Sequence, residues 1–475
     1  MKLNELTVVQ AAKGLRNKEF SSVEITRDCL DRIEEKNTSI NAFLTVSSSE
    51  ALEEAMVADK RIAAGTAEIL TGIPYCVKDA INTQDVRSTG SAKILDTYIP
   101  PFDATVIKKI REQGGVMIGK NNCDAFGHGA SNENSMYGPV RNPHDEKKVA
   151  GGSSGGSAAA VSADMALYAI AEDTGGSIRQ PASFCGIVGL RPSYGRNSRY
   201  GIMPMASSLD TVGPMAKTVE DIAYIMETMA GVDGKDATSV PHTVPLYSEE
   251  IKKDISGLRI GIPKEYFELE GMDSEVKQII ERQLVALEKM GCRIVPISLP
   301  HTKYAVPVYY IVVPSEDSSN LGRIDAIRYG MQEPGKELYD VYAQSRAAGF
   351  PEEVKRRIMI GTYALSSGYY DAYYRKAQKV RTLICNDFSL AFNDVDIIAT
   401  PTCPTPAFGI GEKKNDILSM YLADVFVSPA AVAGIPALSL PAGNTMVGLP
   451  VGLQLIGPRL REELVLRVGH HIQSR

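Results

Sequence analysis

Leu167-Tyr168-Ala169-Ile170-Ala171-Glu172-Asp173-Thr174-Gly175-Gly176-Ser177-Ile178-Arg179 joins an apolar run of strand length to a double glycine, a serine and a polar continuation. The run predicts a buried strand, the glycines predict a tight turn, and the residues after Ser177 predict a helix. A strand feeding a helix through such a turn is a building unit of α/β sheets. The same turn exposes Ser177 Oγ and lets the N–H groups of Thr174, Gly175 and Gly176 converge on one point, as an oxyanion hole requires. Losing one such donor typically costs about 10²–10³-fold in rate. The competing reading is that Ser177 only caps the helix that follows it.

Outward from this unit the alternation repeats. Apolar runs at Ile73–Val77, Val116–Ile118, Ile187–Leu190, Leu258–Ile262, Arg293–Ile297, Asp396–Thr400, Ala437–Leu440 and Val451–Ile456 predict further strands, so at least eight share the chain. Ser21 and Glu24 form a capping box for a helix running to about Lys36, and Ser47 with Glu50 predicts a second helix ending near Gly65. Residues 1 to about 65 therefore read as a helical prelude. Helices are also predicted over Asp103–Gln113, Asp273–Met290 and Pro351–Asn393, the last broken near Gly368. The polar segment Val232–Glu250 reads as a surface excursion inside one domain covering residues 1–475. The fold expected is α/β, with helices covering a sheet.

Composition narrows the function. A chain of 475 residues, 44% hydrophobic and 23% charged, is long enough to bury a large core. Its net charge of −6 and lack of a basic run argue against its being the main nucleic-acid-binding surface, which leaves that work to a basic partner. Seven scattered cysteines without a Cys-x-x-Cys pair support neither a disulfide framework nor a zinc site, so no metal site is expected and the pattern fits a reducing cytoplasm. The N-terminus lacks the apolar core of a signal peptide, and the apolar stretch Pro429–Pro441 is broken by Gly434 and Pro436. Neither export nor a membrane span is expected.

A serine hydroxyl needs a base, and none of the six histidines stands in a nucleophile motif. Lysine is the better candidate. Lys78, at the end of the apolar Ile73-Pro74-Tyr75-Cys76-Val77, has the burial that would favour its neutral form, although a lysine there could instead be solvated or paired with Asp79. Gly151-Gly152-Ser153-Ser154-Gly155-Gly156-Ser157 runs into the small-residue stretch Ala158-Ala159-Ala160-Val161, where glycines allow close backbone approach. A phosphate loop or a linker are its alternatives. No Gly-Lys-Ser/Thr follows, Asn121 takes the hydroxyl position after Lys120, and Gly127-His128-Gly129 lacks the third glycine of a dinucleotide fingerprint.

Taken together, Lys78, Gly151–Gly156 and Asp173–Ser177 resemble the amidase signature family, and the combination is highly specific. The resemblance implies a single α/β/α domain, its core spanning about residues 66–460, with a large mixed central sheet covered by helices. It further implies that Ser177 is the nucleophile, that Ser153 is a bridging serine held through a cis peptide, and that Lys78 is the base acting through Ser153.

Within the family the chain is most similar to the glutamine-hydrolysing components of tRNA-dependent amidotransferases. The similar stretches include Ser131–Ser135 with Tyr137–Pro143, Ser318–Gly330, Arg356–Tyr374 and Asp424–Gly443. This implies glutamine as substrate, with Arg357 on its α-carboxylate, Asp424 on its α-ammonium, and Tyr309 or Tyr310 nearby. Such a role suits the chemistry: a guanidinium binds a carboxylate through two parallel hydrogen bonds. From sequence alone Arg357 also fits a solvated helix face. The implied partners are the B and C subunits of the amidotransferase in a heterotrimer, with Glu-tRNA(Gln) or Asp-tRNA(Asn) bound mainly by the B component. ATP and Mg²⁺ would be used through that partner, and no cofactor would reside in this chain. The alternatives are a stand-alone amidase acting on another small amide, and a scaffold component with a dead site, which the filled catalytic positions disfavour. One departure stands out: Asp124-Ala125-Phe126-Gly127-His128-Gly129 replaces the common Asp-Glu-Phe-Ala-Met-Gly, placing a glycine and a histidine near the expected pocket.

Overall fold

Pro74–Lys78, Val116–Asn121 and Tyr168–Asp173 are buried at every residue, as strands covered on both faces must be. In the computed structural model, which describes residues 2–474, these three lie side by side and parallel near one end of a large sheet. In chain order the strands are β1 (Phe43–Val46), β2 (Pro74–Lys78), β3 (Val116–Asn121), β4 (Arg141–Asn142), β5 (Asp145–Val149), β6 (Tyr168–Asp173), β7 (Val188–Arg191), β8 (Thr211–Ala216), β9 (Arg259–Pro263), β10 (Arg293–Ile297), β11 (Ile397–Pro401), β12 (Ala437–Asn444) and β13 (Pro450–Ile456). Eleven of them form one mixed sheet, ordered β1-β3-β2-β6-β8-β7-β12-β13-β11-β9-β10 and flanked by helices, while β4 and β5 pair as a separate hairpin. This is the single α/β domain expected.

All nine predicted strands are present. Two sheet strands escaped the sequence reading. β1 is four residues long and half exposed, and it lies inside the segment read as a helical prelude; its pairing with β3 makes that segment part of the sheet. β8, Thr-Val-Gly-Pro-Met-Ala, carries Gly213 and Pro214, residues that weaken a strand pattern. β7 pairs with it only at Met215 and Ala216, leaving Pro214 on a one-sided stretch of strand where proline is tolerated.

The helices follow their caps. Ser21 Oγ accepts from Glu24 N–H at 3.1 Å and Glu24 returns the bond to Ser21 N–H at 2.7 Å, opening the helix Ser22–Ile40, four residues longer than expected. The helix Ser48–Ala63 starts after Ser47 as predicted, but the Ser47 side chain makes no cap bond. The long charged segment divides into Glu352–Leu365, a single π turn at Asp371–Arg375 and Lys376–Asp394, with the break at Gly368.

Several helices were not read from the sequence, among them Val8–Arg16, Val219–Met229, Leu338–Gly349 and Glu462–Gln473; the one that bears on the site, Ala305–Asn320, contains Pro314 in its interior, which argues against a helix locally. It packs closely on Glu352–Leu365. At the crossing a Cβ on Gly361 would overlap the Pro314 carbonyl, so glycine is required there for the backbones to approach this far. One turn back from each crossing residue stand Arg357 and Tyr310.

Candidate functional site

Lys78 and Asp173 are the last residues of the parallel strands β2 and β6, so both project from the carboxyl ends of the sheet, where ligand crevices of α/β folds form. Lys78 is 1% exposed and its Nζ lies 2.8 Å from Ser153 Oγ. The Gly152–Ser153 peptide is cis. The serine loop is held on both sides: Gly152 N–H donates to Gln180 Oε1 at 2.8 Å, and Asp124 N–H donates to the Ser153 carbonyl at 3.0 Å. Ser154 N–H donates to the Ser177 carbonyl at 3.2 Å, which ties this loop to the turn after β6. Lys78, Ser153 and Ser177 are therefore brought together from three separate segments. Asp79, the partner weighed for Lys78, instead accepts from Thr89 and Ser91.

The turn at 174–177 is organised by Asp173. Its buried carboxylate accepts from Arg179 Nε at 3.0 Å, from Arg191 Nη1 at 2.9 Å, and from the amides of Gly176 at 2.9 Å and Ile178 at 3.2 Å. Burial pushes against the charge, but the two arginines overcome it and hold this carboxyl well below the usual range. The Gly176 N–H is thus committed to Asp173, which removes it from the expected oxyanion donors and leaves the amides of Thr174, Gly175 and Ser177 as the candidates. Glycine is still required at 175 and 176. A Cβ at Gly175 would overlap the Tyr309 ring, and one at Gly176, where φ is +143°, would overlap Val427. Ser177 is not the cap of the following helix: its N-cap is Ile178, with no side-chain cap bond. Thr174 Oγ1 donates to Asp210 Oδ1 at 2.7 Å.

The residues implied for substrate binding converge over the same turn. Tyr309 packs on Gly175, and Asp424 approaches Gly176. Arg357 is 2% exposed rather than on a solvated face; its Nε donates to Glu353 Oε1 at 2.8 Å. Its guanidinium lies 4.9 Å from the centre of the Tyr310 ring, which stacks on Tyr421 at 3.6 Å. Asp424 Oδ1 is buried without a hydrogen-bond partner, and burial pushes that carboxyl up to about 8 against the pull of Arg357. Both tyrosines named for this region are present, Tyr309 against the turn and Tyr310 under the arginine.

Sequence reasoning missed Asp173, Arg179, Arg191 and Gln180. The signal was present for two of them, because Asp173 and Arg179 bracket the double glycine. The His128 departure resolves structurally. Its ring is fully buried, with Nε2 2.7 Å from Asp317 Oδ2 and Nδ1 2.9 Å from the Phe126 carbonyl, so its hydrogen-bonding capacity is satisfied internally. Gly127 faces the catalytic loop instead: a Cβ there would stand 3.8 Å from Ser153 Oγ. Among the described residues no cluster of three His, Cys, Asp or Glu side chains is placed to hold a metal ion, and no helix is long and apolar enough to cross a membrane.

Comparison with known proteins shows the family to which the chain belongs. The pattern of the family described as Amidase matches residues 24–466. The chain is 51% identical to the A subunit of the glutamyl-tRNA(Gln) amidotransferase of Desulfatibacillum aliphaticivorans, covering 100% of this chain and 98% of that one. It is 52% identical to the protein of the same name from Geobacter metallireducens, again over 100% and 98%. Among solved structures it is similar to the glutamyl-tRNA(Gln) amidotransferase A subunit from Thermotoga maritima, with 39% identity, a TM-score of 0.83 and coverage of 100% and 96%. It also resembles the peptide amidase of Stenotrophomonas maltophilia, at 28% identity and a TM-score of 0.83 over 99% and 96% of the two chains.

Proposed function

Because this chain belongs to the amidase signature family, we propose that it is the glutaminase component of a tRNA-dependent amidotransferase, hydrolysing glutamine to supply ammonia for converting Glu-tRNA(Gln) to Gln-tRNA(Gln), and Asp-tRNA(Asn) to Asn-tRNA(Asn) where that is also a substrate. The observation that carries this reading is the buried Lys78 Nζ, 2.8 Å from Ser153 Oγ on a loop bonded to the Ser177 turn. Ser177 Oγ attacks the side-chain carboxamide. Its proton passes to Ser153, whose own proton passes to neutral Lys78, and the amides of Thr174, Gly175 and Ser177 receive the developing oxyanion. The proton returns along the same route to the departing nitrogen, ammonia leaves, and water releases glutamate from the acyl-enzyme. Full-length identity of 51% to chains named as the A subunit of this amidotransferase supports the assignment over another family member.

Arg357 and Asp424 supply the two charges that free glutamine needs at its α-carbon. The unpartnered Asp424 Oδ1 suits an incoming ammonium, whose positive charge would stabilise the ionised carboxylate that burial disfavours. The complete reaction requires ATP, Mg²⁺ and tRNA, and these belong mainly to the B component of a heterotrimer completed by a C component, in the cytoplasm. The test is glutamine hydrolysis by the full chain and its Ser177→Ala variant. Loss of all turnover with an unchanged melting temperature is expected. Hydrolysis of simple amides in preference to glutamine by the unsubstituted chain would replace this reading with a stand-alone amidase.

A further inference from the structure

Glu172 and Asp173 are consecutive carboxylates at the end of β6, so their side chains leave opposite faces of the strand. Their surroundings differ sharply. Asp173 takes hydrogen bonds from two guanidinium groups and two backbone amides. Glu172 has a single charged neighbour within ion-pair distance, Lys78, whose Nζ is 3.7 Å from Oε2; its Oε1 is buried with no hydrogen-bond partner. Adjacent acids driven apart by their environments commonly mark a division of labour at a reactive site.

A buried carboxylate with one unserved oxygen is costly when ionised, and the lysine beside it is buried as well. Burial pushes the Glu172 carboxyl up to about 8, with Lys78 pulling the other way and Asp210 adding to the rise. Lys120 reaches this pair from β3, Cys123 and Asp124 face Lys78 from the segment after β3, and Asp210 faces Glu172 from the segment before β8. Lys120 is occupied with the Ile81 carbonyl, Thr83 and Ser88, and Asp124 accepts from the amides of Asn132 and Asn134. Asp210 accepts from Thr174 and from the amides of Met205 and Ala206, and Cys123 contacts Ser91, which leaves Glu172 and Lys78 as an ion pair 3.7 Å apart.

We propose that Glu172 is the proton-holding partner of Lys78, a positioning residue that sets the pH range in which Lys78 can accept the Ser153 proton. The inference rests on the reading of Lys78 as the base. With the shared proton on Glu172, Lys78 is neutral and its lone pair faces Ser153 Oγ–H. When Ser177 attacks, the Ser153 proton forms the new N–H bond on Lys78, and Ser153 takes the Ser177 proton. As the tetrahedral adduct collapses and the C–N bond breaks, Ser153 gives its proton to the departing nitrogen and takes one back from Lys78, so Lys78 is neutral again and Glu172 ends the step unchanged. With the proton on Lys78, the carboxylate stabilises the ammonium and the base is blocked.

The test is the pH dependence of kcat/KM for glutamine, together with the pH dependence of Ser177 labelling by a fluorophosphonate, in the full chain and in Glu172→Gln and Glu172→Met. Without the carboxylate, charged Lys78 loses its one ion-pair partner, so the acid limb of both profiles should move to lower pH by about one unit or more. Glu172→Met, which matches the side-chain length without charge, should move it the same way even if Glu172→Gln folds poorly. An unmoved limb in both variants, or one moved to higher pH, overturns the proposal. Shifted labelling in a chain that does not hydrolyse glutamine would overturn the glutaminase reading and leave this inference standing. Absence of Ser177 labelling in the unsubstituted chain overturns both.

Discussion

Lys78 is 1% exposed, and the proposed mechanism requires it to lose a proton before it can accept that of Ser153. Guanidinium cannot make that change. Lys78→Arg should therefore be nearly as damaging as Lys78→Ala, each losing about 10²–10⁴-fold in kcat for glutamine hydrolysis; near-normal turnover in the arginine variant would make Lys78 a fixed cation. Asp173 is the opposite case, a carboxylate held ionised by Arg179 and Arg191. Asp173→Asn leaves both arginines buried without a full charge opposite and should cost about 3–5 kcal/mol at neutral pH by chemical denaturation. The sign of its pH dependence follows from the depressed folded-state value. The stabilisation is complete above the unfolded carboxyl range near 4 and is lost as pH falls below it, so the gap between the variant and the unsubstituted chain should narrow below about pH 4.

Helix Glu352–Leu365 and helix Ala305–Asn320 meet where Gly361 approaches the Pro314 carbonyl, and this contact sets the height of Arg357 over Tyr310. A methyl at this point meets backbone, which cannot rotate away. Gly361→Ala should force the helices apart, raising KM for glutamine by about tenfold with a smaller change in kcat, because binding is disturbed more than the Lys78–Ser153–Ser177 chemistry. Equal loss in both constants would show that the crossing supports the whole crevice instead. This element also shows where local reading stops. The interior Pro314 hides a helix that tertiary packing stabilises, just as Gly213 and Pro214 hide β8.

At the scale of the molecule, the net charge of −6 fits the proposal that tRNA and ATP are held mainly by a partner component. Transamidation should therefore appear only when the B and C components are added with ATP, Mg²⁺ and Glu-tRNA(Gln) or Asp-tRNA(Asn), and ¹⁵N from the glutamine amide should be recovered on the tRNA-linked amino acid. A reconstituted complex active with free ammonia but transferring no label would show that this chain is not the donor. Much of this was legible along the chain. The strands of period-2 and continuous apolar pattern, the capping boxes, and the three motifs containing Lys78, Ser153 and Ser177 are local features, written in neighbouring residues. Burial of Arg357, the commitment of the Gly176 amide to Asp173, and the pairing of His128 with Asp317 were decided only in three dimensions. Each depends on groups far apart in sequence meeting where water is excluded, and hydrogen-bond competition of that kind has no periodicity to read. The same holds for Glu172: in sequence it is one more acid before a glycine turn, and only the sheet places it beside the lysine at the end of β2.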